Sequence, residues 1–232
     1  LLGIVAAEKV FDVYEDTKSI LFALVCSGIW IGLFNSIQEI CKERVILKRE
    51  YMANLKLPIY ILSKYVVQLV LGFIQTLLML GLFAVIVGIP EKGVIIGSGF
   101  VECALTLLLT VMASASMGLI ISAFAKNGDR AMTFAPFVLI VQLLFSGILF
   151  KLEGAVDVIS RVTVSRWAIE GLGCTADLNN LVSKTGIPRE AEDLFTHTAA
   201  HLWQGWGILL IFVVVLGVLA TVMLRSVGKD QR

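Results

Sequence analysis

The 232-residue chain is 58% hydrophobic and 16% charged, with a formal net charge of +1 and a mean hydropathy of +0.90. Soluble domains average about 25% charged and about 45–50% apolar residues, so this composition excludes a disordered chain. With four cysteines it also excludes a disulfide scaffold, and it gives no bulk charge for nucleic acid.

The chain opens Leu1-Leu2-Gly3-Ile4-Val5-Ala6-Ala7, without Met or a basic n-region, which argues against a signal peptide. It reads as a fragment that starts with the end of a first helix (1–7). Five charge-free runs follow: Ser19–Gln38 (20 residues), Tyr65–Pro90 (26), Cys103–Ala125 (23), Ala131–Phe150 (20) and Leu202–Leu224 (23). A spanning helix needs about 20 apolar residues. These runs lack the polar face of a soluble helix and the alternation of a membrane barrel. Counting the stub as the first helix, spans are expected at 17–38, 59–90, 94–125, 131–150 and 202–225.

Basic residues orient the bundle. Segments 39–64, 126–130 and 225–232 hold eleven basic residues against five acidic ones, and 8–18, 91–102 and 151–201 hold eight against thirteen. The first set is therefore expected in the cytoplasm.

Between the second and third spans, Glu39–Lys56 mixes charges of both signs with Ile40, Val45, Leu47, Tyr51 and Leu55. This suits a helix on the membrane surface or against a partner, or else a solvated cap of a helical hairpin. Ala125–Arg130 reads as a tight turn signalled by Asn127-Gly128. In the outer loop (151–201), Pro188 is expected to open a helix, with Glu190, Glu192 and Asp193 near its start, that runs into the last span. Trp167, Ile169, Leu172, Leu178 and Leu181 of that loop need cover.

Small residues mark close helix approach: Gly28 and Gly32 form a GxxxG, and Ser114 and Gly118 a second such pair. They serve either packing within the chain or a dimer seam. Glu102 is expected to snorkel or be hydrated at the outer boundary. Asp193, His197 and His201 are spaced to share a helix face. That allows a metal ion, but three ligands without a fourth fit a solvated rim better, and no metal site is assigned. Cys26 and Cys103 read as apolar packers and Cys41 as a reduced cytoplasmic thiol. Cys174 is an outer cysteine that could pair with a symmetry mate. No catalytic residue set is present.

Four stretches, in order, carry a family resemblance. They are Glu43-Arg44 with Lys48-Arg49-Glu50-Tyr51 and then Tyr60-Ile61-Leu62-Ser63-Lys64; Ser114-Ala115-Ser116-Met117-Gly118-Leu119; Ala135-Pro136 through Phe145-Ser146-Gly147; and Ser165-Arg166-Trp167-Ala168-Ile169-Glu170-Gly171-Leu172. They resemble the transmembrane domains of ABC-2 type ABC transporters, in the G-subfamily-like (white/pleiotropic drug resistance) branch. Two prolines of that pattern are replaced, in Val67-Gln68-Leu69 and in Val164-Ser165-Arg166; the first predicts a straighter third helix.

The resemblance implies an all-α membrane protein with an ABC-2 (type V exporter-like) transmembrane domain, a six-helix core whose first helix is mostly outside this chain. It implies a permease of an ATP-driven exporter that moves a lipophilic or amphipathic substrate by alternating access in the plasma membrane. The partners would be a nucleotide-binding domain, fused N-terminally or separate, holding ATP and Mg; a second transmembrane domain; and membrane lipids. No nucleic acid is expected. Glu43, Arg44, Lys48, Arg49 and Glu50 would couple to the ATPase. Gly28, Ile31, Asn35, Pro136, Ile140 and Leu143 would line a cavity, and Ile148 and Leu149 would close its outer end. The competing readings are a membrane anchor or assembly subunit without a transport path, an intramembrane enzyme, which would need clustered His, Asp or Glu, and a secondary carrier, which would need helices broken at midplane.

Overall fold

The computed structural model describes residues 10–148, 154–183 and 192–227. The described helices are α1 (Tyr14–Ser36), α2 (Glu39–Met52), α3 (Leu57–Ile86), α4 (Gly99–Phe124), α5 (Gly128–Leu144), α6 (Ala155–Ser160), α7 (Val164–Thr175) and α8 (Ala199–Val227), with 3-10 turns at Leu178–Asn180 and Asp193–Phe195. The described residues contain no β-strand beyond a single bridge between Val13 and Val182. Residues 1–7, Leu149, Pro188 and Glu190 lie outside the described residues.

Among the described residues, four helical stretches are long and apolar enough to cross a membrane: Tyr14–Met52, Leu57–Ile86, Gly99–Phe124 and Ala199–Arg225. The segment expected at 131–150 differs. Its helix starts earlier, at Gly128, and ends at Leu144 after 17 residues. At 1.5 Å per residue that is about 25 Å, short of a hydrocarbon core of about 30 Å. Beyond it Phe145 caps the helix and Gly147 takes a φ of 84°, which favours glycine.

The chain then turns back as α6 and α7. Every residue of α7 is buried, among α1, α4, α5 and α8. Trp167, Ile169, Leu172 and Leu178 are thereby covered, while Leu181 is half-buried against the same core.

Helix α4 is the axis of the bundle, touching α1, α2, α3, α5, α7 and α8. Its small residues make this possible. A Cβ built on Gly32 would stand 2.2 Å from the Val111 carbonyl oxygen, and one on Gly118 would stand 2.8 Å from that of Leu33. The two small-residue motifs thus pack against each other inside the chain, the within-chain alternative. Helices α3 and α8 instead turn most of their apolar side chains outward, as lipid-facing helices do.

Hydroxyls inside the bundle are mostly satisfied. Thr106, Thr110 and Ser116 donate to carbonyls one turn back, and Trp206 Nε1 donates to Thr106 Oγ1 at 2.8 Å, tying α8 to α4.

The short links have identifiable chemistry. Pro58 opens α3 in its first turn. Asn54, at φ 70°, ends α2, with the Leu55 N–H returning to the Glu50 carbonyl. Asn127 is an N-cap rather than part of a β-turn: its side-chain oxygen accepts the Arg130 N–H at 3.1 Å, so Gly128 already belongs to α5.

Candidate coupling helix and cavity face

Helix α2 continues from α1 after a bend at Ile37–Gln38. Its first N–H groups have no side-chain cap of their own. The Ser122 hydroxyl of α4 supplies one from across the bundle, accepting Ile40 N–H and Cys41 N–H at 3.0 Å each. Arg44 Nη1 donates to the Ala125 carbonyl at 2.6 Å, at the C-terminal end of α4. Lys64 of α3 bonds Glu43 at 2.7 Å and Glu39 at 3.1 Å, and the Tyr60 hydroxyl donates to Glu43 at 2.7 Å. Glu43 and Arg44 therefore fasten α2 to the two neighbouring helices.

Lys48, Arg49 and Glu50 occupy the exposed side of α2, beside exposed Val45, Ile46 and Met52. A cleft of about 380 Å³ opens there, lined by Cys41, Arg44, Val45, Lys48, Arg49, Met52 and Lys126. Four cations around an apolar floor suit an anionic, partly apolar surface. The sequence showed the charges of α2. It did not show the division of labour between inward Glu43 and Arg44 and outward Lys48, Arg49 and Glu50, nor the part of Ser122.

The expected cavity residues divide in the same way. Gly28 is buried, with Leu107 and Val111 of α4 nearest to where its Cβ would stand, so the position is a helix contact and not part of the free face. That correction follows from helix geometry: the open side of α1 carries Ser27, Trp30 and Phe34, which share a face by i, i+3, i+7 spacing. Ile31 and Asn35 flank it, half-buried, and Asn35 Nδ2 donates to Gln75 Oε1 of α3 at 2.5 Å. On α5, Pro136 and Ile140 are exposed and Leu143 is half-buried. Helices α1 and α5 are in contact. Ile148 is half-buried against the core.

Three expectations at the opposite end are overturned, and the possibility left open for Cys174 meets a buried thiol. Glu102 neither snorkels nor is hydrated; it is fully buried and accepts the N–H groups of Val94, Ile95 and Ile96 at 2.6–2.9 Å, and the Thr175 hydroxyl at 3.3 Å. No helix runs from the region of Pro188 into the last span, because residues 193–195 form a 3-10 turn and α8 begins at Ala199. His197 therefore precedes α8 and bonds the Cys174 carbonyl at 2.7 Å, while His201 meets Glu170, so the two imidazoles do not form a shared solvated face. No metal-holding group of His, Cys, Asp or Glu occurs among the described residues. Cys174 is fully buried with Sγ 3.2 Å from the Thr196 carbonyl, which leaves it no reach to a symmetry mate; burial pushes its thiol up to about 11.

Charges are held closely in this outer layer. Arg166 pairs with Asp157 of α6 and, with Arg161, holds the Asp157 carboxyl below the usual carboxylate range. Burial pushes the Glu170 carboxyl upward, against the pull of His201 and Arg166.

Among the described residues, a helical bundle with four membrane-length apolar helices, a charged helix fastened to its central member and a packed outer layer defines a polytopic membrane domain. The chain belongs to the ABC-2 type transporter family, whose family model matches residues 4–173; it is a membrane component of a transporter. It is 28% identical over 207 residues to an ABC transporter ATP-binding/permease protein of Mycobacterium tuberculosis, an alignment that covers 88% of this chain and 24% of the relative. The chain thus spans about a quarter of the relative's length.

Proposed function

We propose that this domain is the permease part of an ATP-driven exporter of the G-subfamily-like branch, moving a lipophilic or amphipathic substrate across the plasma membrane by alternating access. The observation that supports this best is the two-sided build of α2. Glu43 and Arg44 lock it to α3 and α4, while Lys48, Arg49 and Glu50 face outward. A helix gripped from behind and charged in front transmits a push from a docked domain to the whole bundle.

In this reading a nucleotide-binding domain, carrying ATP and Mg, docks on the α2 face, and segments 39–64, 126–130 and 225–232 are cytoplasmic. The relative's combined ATP-binding and permease name favours fusion on one polypeptide. A second transmembrane domain, from an identical or a different chain, packs beside the α1–α5 face. Ile31, Asn35, Pro136, Ile140 and Leu143 line the resulting cavity, with Gly28 behind them as the contact that sets α1, and Ile148 with Leu149 closes its outer end. An apolar cavity with an apolar constriction passes amphipathic molecules and excludes ions. ATP binding drives the change only through differential affinity for the two conformations.

The test is ATPase activity and uptake of an amphipathic dye by vesicles containing the full-length polypeptide, wild type against Glu50→Ala. The expected result is retained hydrolysis with transport reduced at least about tenfold in the variant, as for loss of a charge-assisted contact. A full-length protein that neither contains nor recruits an ATPase would instead make the domain a membrane anchor.

A further inference from the structure

One face of α2 is ordered in a way that its overall composition hides. Cys41, Arg44, Val45, Lys48, Arg49 and Met52 follow i, i+3, i+4, i+7, i+8, i+11 spacing, so they form a single stripe along the helix. All six line the cleft of about 380 Å³, and Lys126 joins them from the link between α4 and α5. No Asp or Glu is among the described residues that line it. The acids of α2 are placed elsewhere: Glu39 and Glu43 are held by Lys64 of α3, and Glu50 lies outside the lining. Four cations with no acid in the same lining call for an anion.

Arg44 is the fixed member of the set. Its bond to the Ala125 carbonyl at 2.6 Å holds the half-buried side chain in place and uses one of the five N–H donors of a guanidinium. The same bond answers the negative end of the α4 dipole, which would otherwise repel an anion.

The occupant is also partly apolar. Val45 and Met52 are 70% and 66% exposed on the same stripe. Two residues ahead of Lys126, exposed Phe124 ends α4 and meets exposed Phe134 of α5 edge to face, with ring centroids 6.2 Å apart. The cleft stands where apolar spans end, since α2 starts just after α1 and Lys126 just after α4. A soluble acidic segment would satisfy the cations and leave the two phenylalanines bare. A membrane amphiphile with an anionic head satisfies both, as basic pockets between helices at a membrane surface do. The volume lies in the range of small-molecule pockets, about 300–1,000 Å³.

We propose that this cleft is a binding site for one anionic phospholipid, its phosphate held among Arg44, Arg49 and Lys126 and its acyl chains running past Phe124 and Phe134. Val45 and Met52 cover the glycerol end of the chains. Glu50 stays on the adjoining side of α2, so a domain docked through Glu50 and a lipid in the cleft share the helix, with Lys48 and Arg49 on the border between them. The site requires the membrane at this end of the bundle and does not require ATP.

The experiment is native mass spectrometry of the full-length polypeptide in neutral detergent, titrated with phosphatidylglycerol or with phosphatidylcholine of the same acyl chains. Wild type is expected to bind one phosphatidylglycerol per chain at least about tenfold more tightly than phosphatidylcholine. Arg49→Gln with Lys126→Gln, both at exposed positions, should abolish that preference. Lys42→Gln with Lys56→Gln removes the same charge from exposed positions outside the cleft and should keep it. Excess glycerol phosphate, the head without the chains, should not displace the lipid. Equal binding of the two lipids by wild type, or equal loss in the two double variants, overturns the proposal. Displacement by glycerol phosphate overturns it in favour of a soluble anion. A preference that survives Arg49→Gln with Lys126→Gln overturns it and leaves the cleft to the docked domain. Binding is read without nucleotide or transport, so its failure leaves the exporter reading standing, and the reverse.

Discussion

Gly118 of α4 faces Ser36 of α1 so closely that a Cβ on the glycine would stand 2.1 Å from the serine Oγ. That oxygen is itself committed, donating to the Gly32 and Leu33 carbonyls. On the other side of the same seam the obstacle to a Cβ on Gly32 is the backbone of Val111 and Ala115, which has no rotamer to change. Gly32→Ala is therefore expected to force the helices apart and to cost about 1–3 kcal/mol, as overpacking does. Gly81→Ala has nothing within 4 Å of its new methyl. It should be neutral, or stabilising by up to about 1 kcal/mol through helix propensity. Thermal unfolding of the two variants in the same lipid mixture distinguishes them; equal midpoints would mean that α1 and α4 are not closely packed in the membrane.

The Ser122 cap makes a second, local expectation. Two N–H groups at the start of α2 depend on one hydroxyl from another helix. Ser122→Ala should cost about 1 kcal/mol, the usual loss for a capping serine. The loss should be felt locally, as faster hydrogen exchange over residues 40–44 with the interior of α4 unchanged. Exchange that rises along the whole of α4 instead would assign Ser122 to packing rather than capping.

Glu102 organises the loop ahead of α4. Three consecutive N–H groups converge on its carboxylate, and Gly93 approaches so closely that a Cβ there would lie 2.5 Å from Oε1. Glu102→Gln replaces one acceptor oxygen by a donor that faces N–H groups. It should free the loop at a cost of about 1.5–3 kcal/mol, the range for hydrogen bonds to a charged group. Lys92 is exposed immediately before this loop, so the detergent-solubilised variant should be cut by trypsin after Lys92 several-fold faster than wild type. Unchanged cleavage would show that the carboxylate's charge is dispensable there.

What the sequence made legible followed from a single physical constraint. Lipid offers the backbone no partners, so charge-free runs of the right length had to be helices, and α1, α3, α4 and α8 lie where those runs are. The outer layer was illegible for the opposite reason. Glu170 and His201 are separated by thirty-one positions, and nothing in composition announces that they touch. Glu102 at the head of an apolar run has the same sequence signature whether it is hydrated or wrapped in N–H groups. Asn127-Gly128 illustrates a local ambiguity, since asparagine serves a turn and an N-cap equally well. At the α2 end the charges were visible, but whether each one points at its own bundle or away from it depended on a bend at Ile37–Gln38 that no Gly or Pro marks.

The α6–α7 clasp carries the last prediction, in pH. Asp157 is held ionised below the usual carboxylate range, first of all by the hydrogen bond from Arg166 and then by Arg161. A depressed carboxyl contributes stability that is fully present above its unfolded value, about 3.9, and is lost as pH falls through the lower folded value. The clasp should thus be indifferent to pH between about 5 and 8, where neither Asp157 nor an arginine titrates. It should open only below about pH 4. Hydrogen exchange over residues 157–163, corrected for intrinsic rates, should be flat through the neutral range and rise in acid, while Asp157→Asn should show the raised exchange at every pH. A wild-type protein whose α6 segment loosens between about pH 6 and about pH 8 would show that a group other than Asp157 controls the clasp.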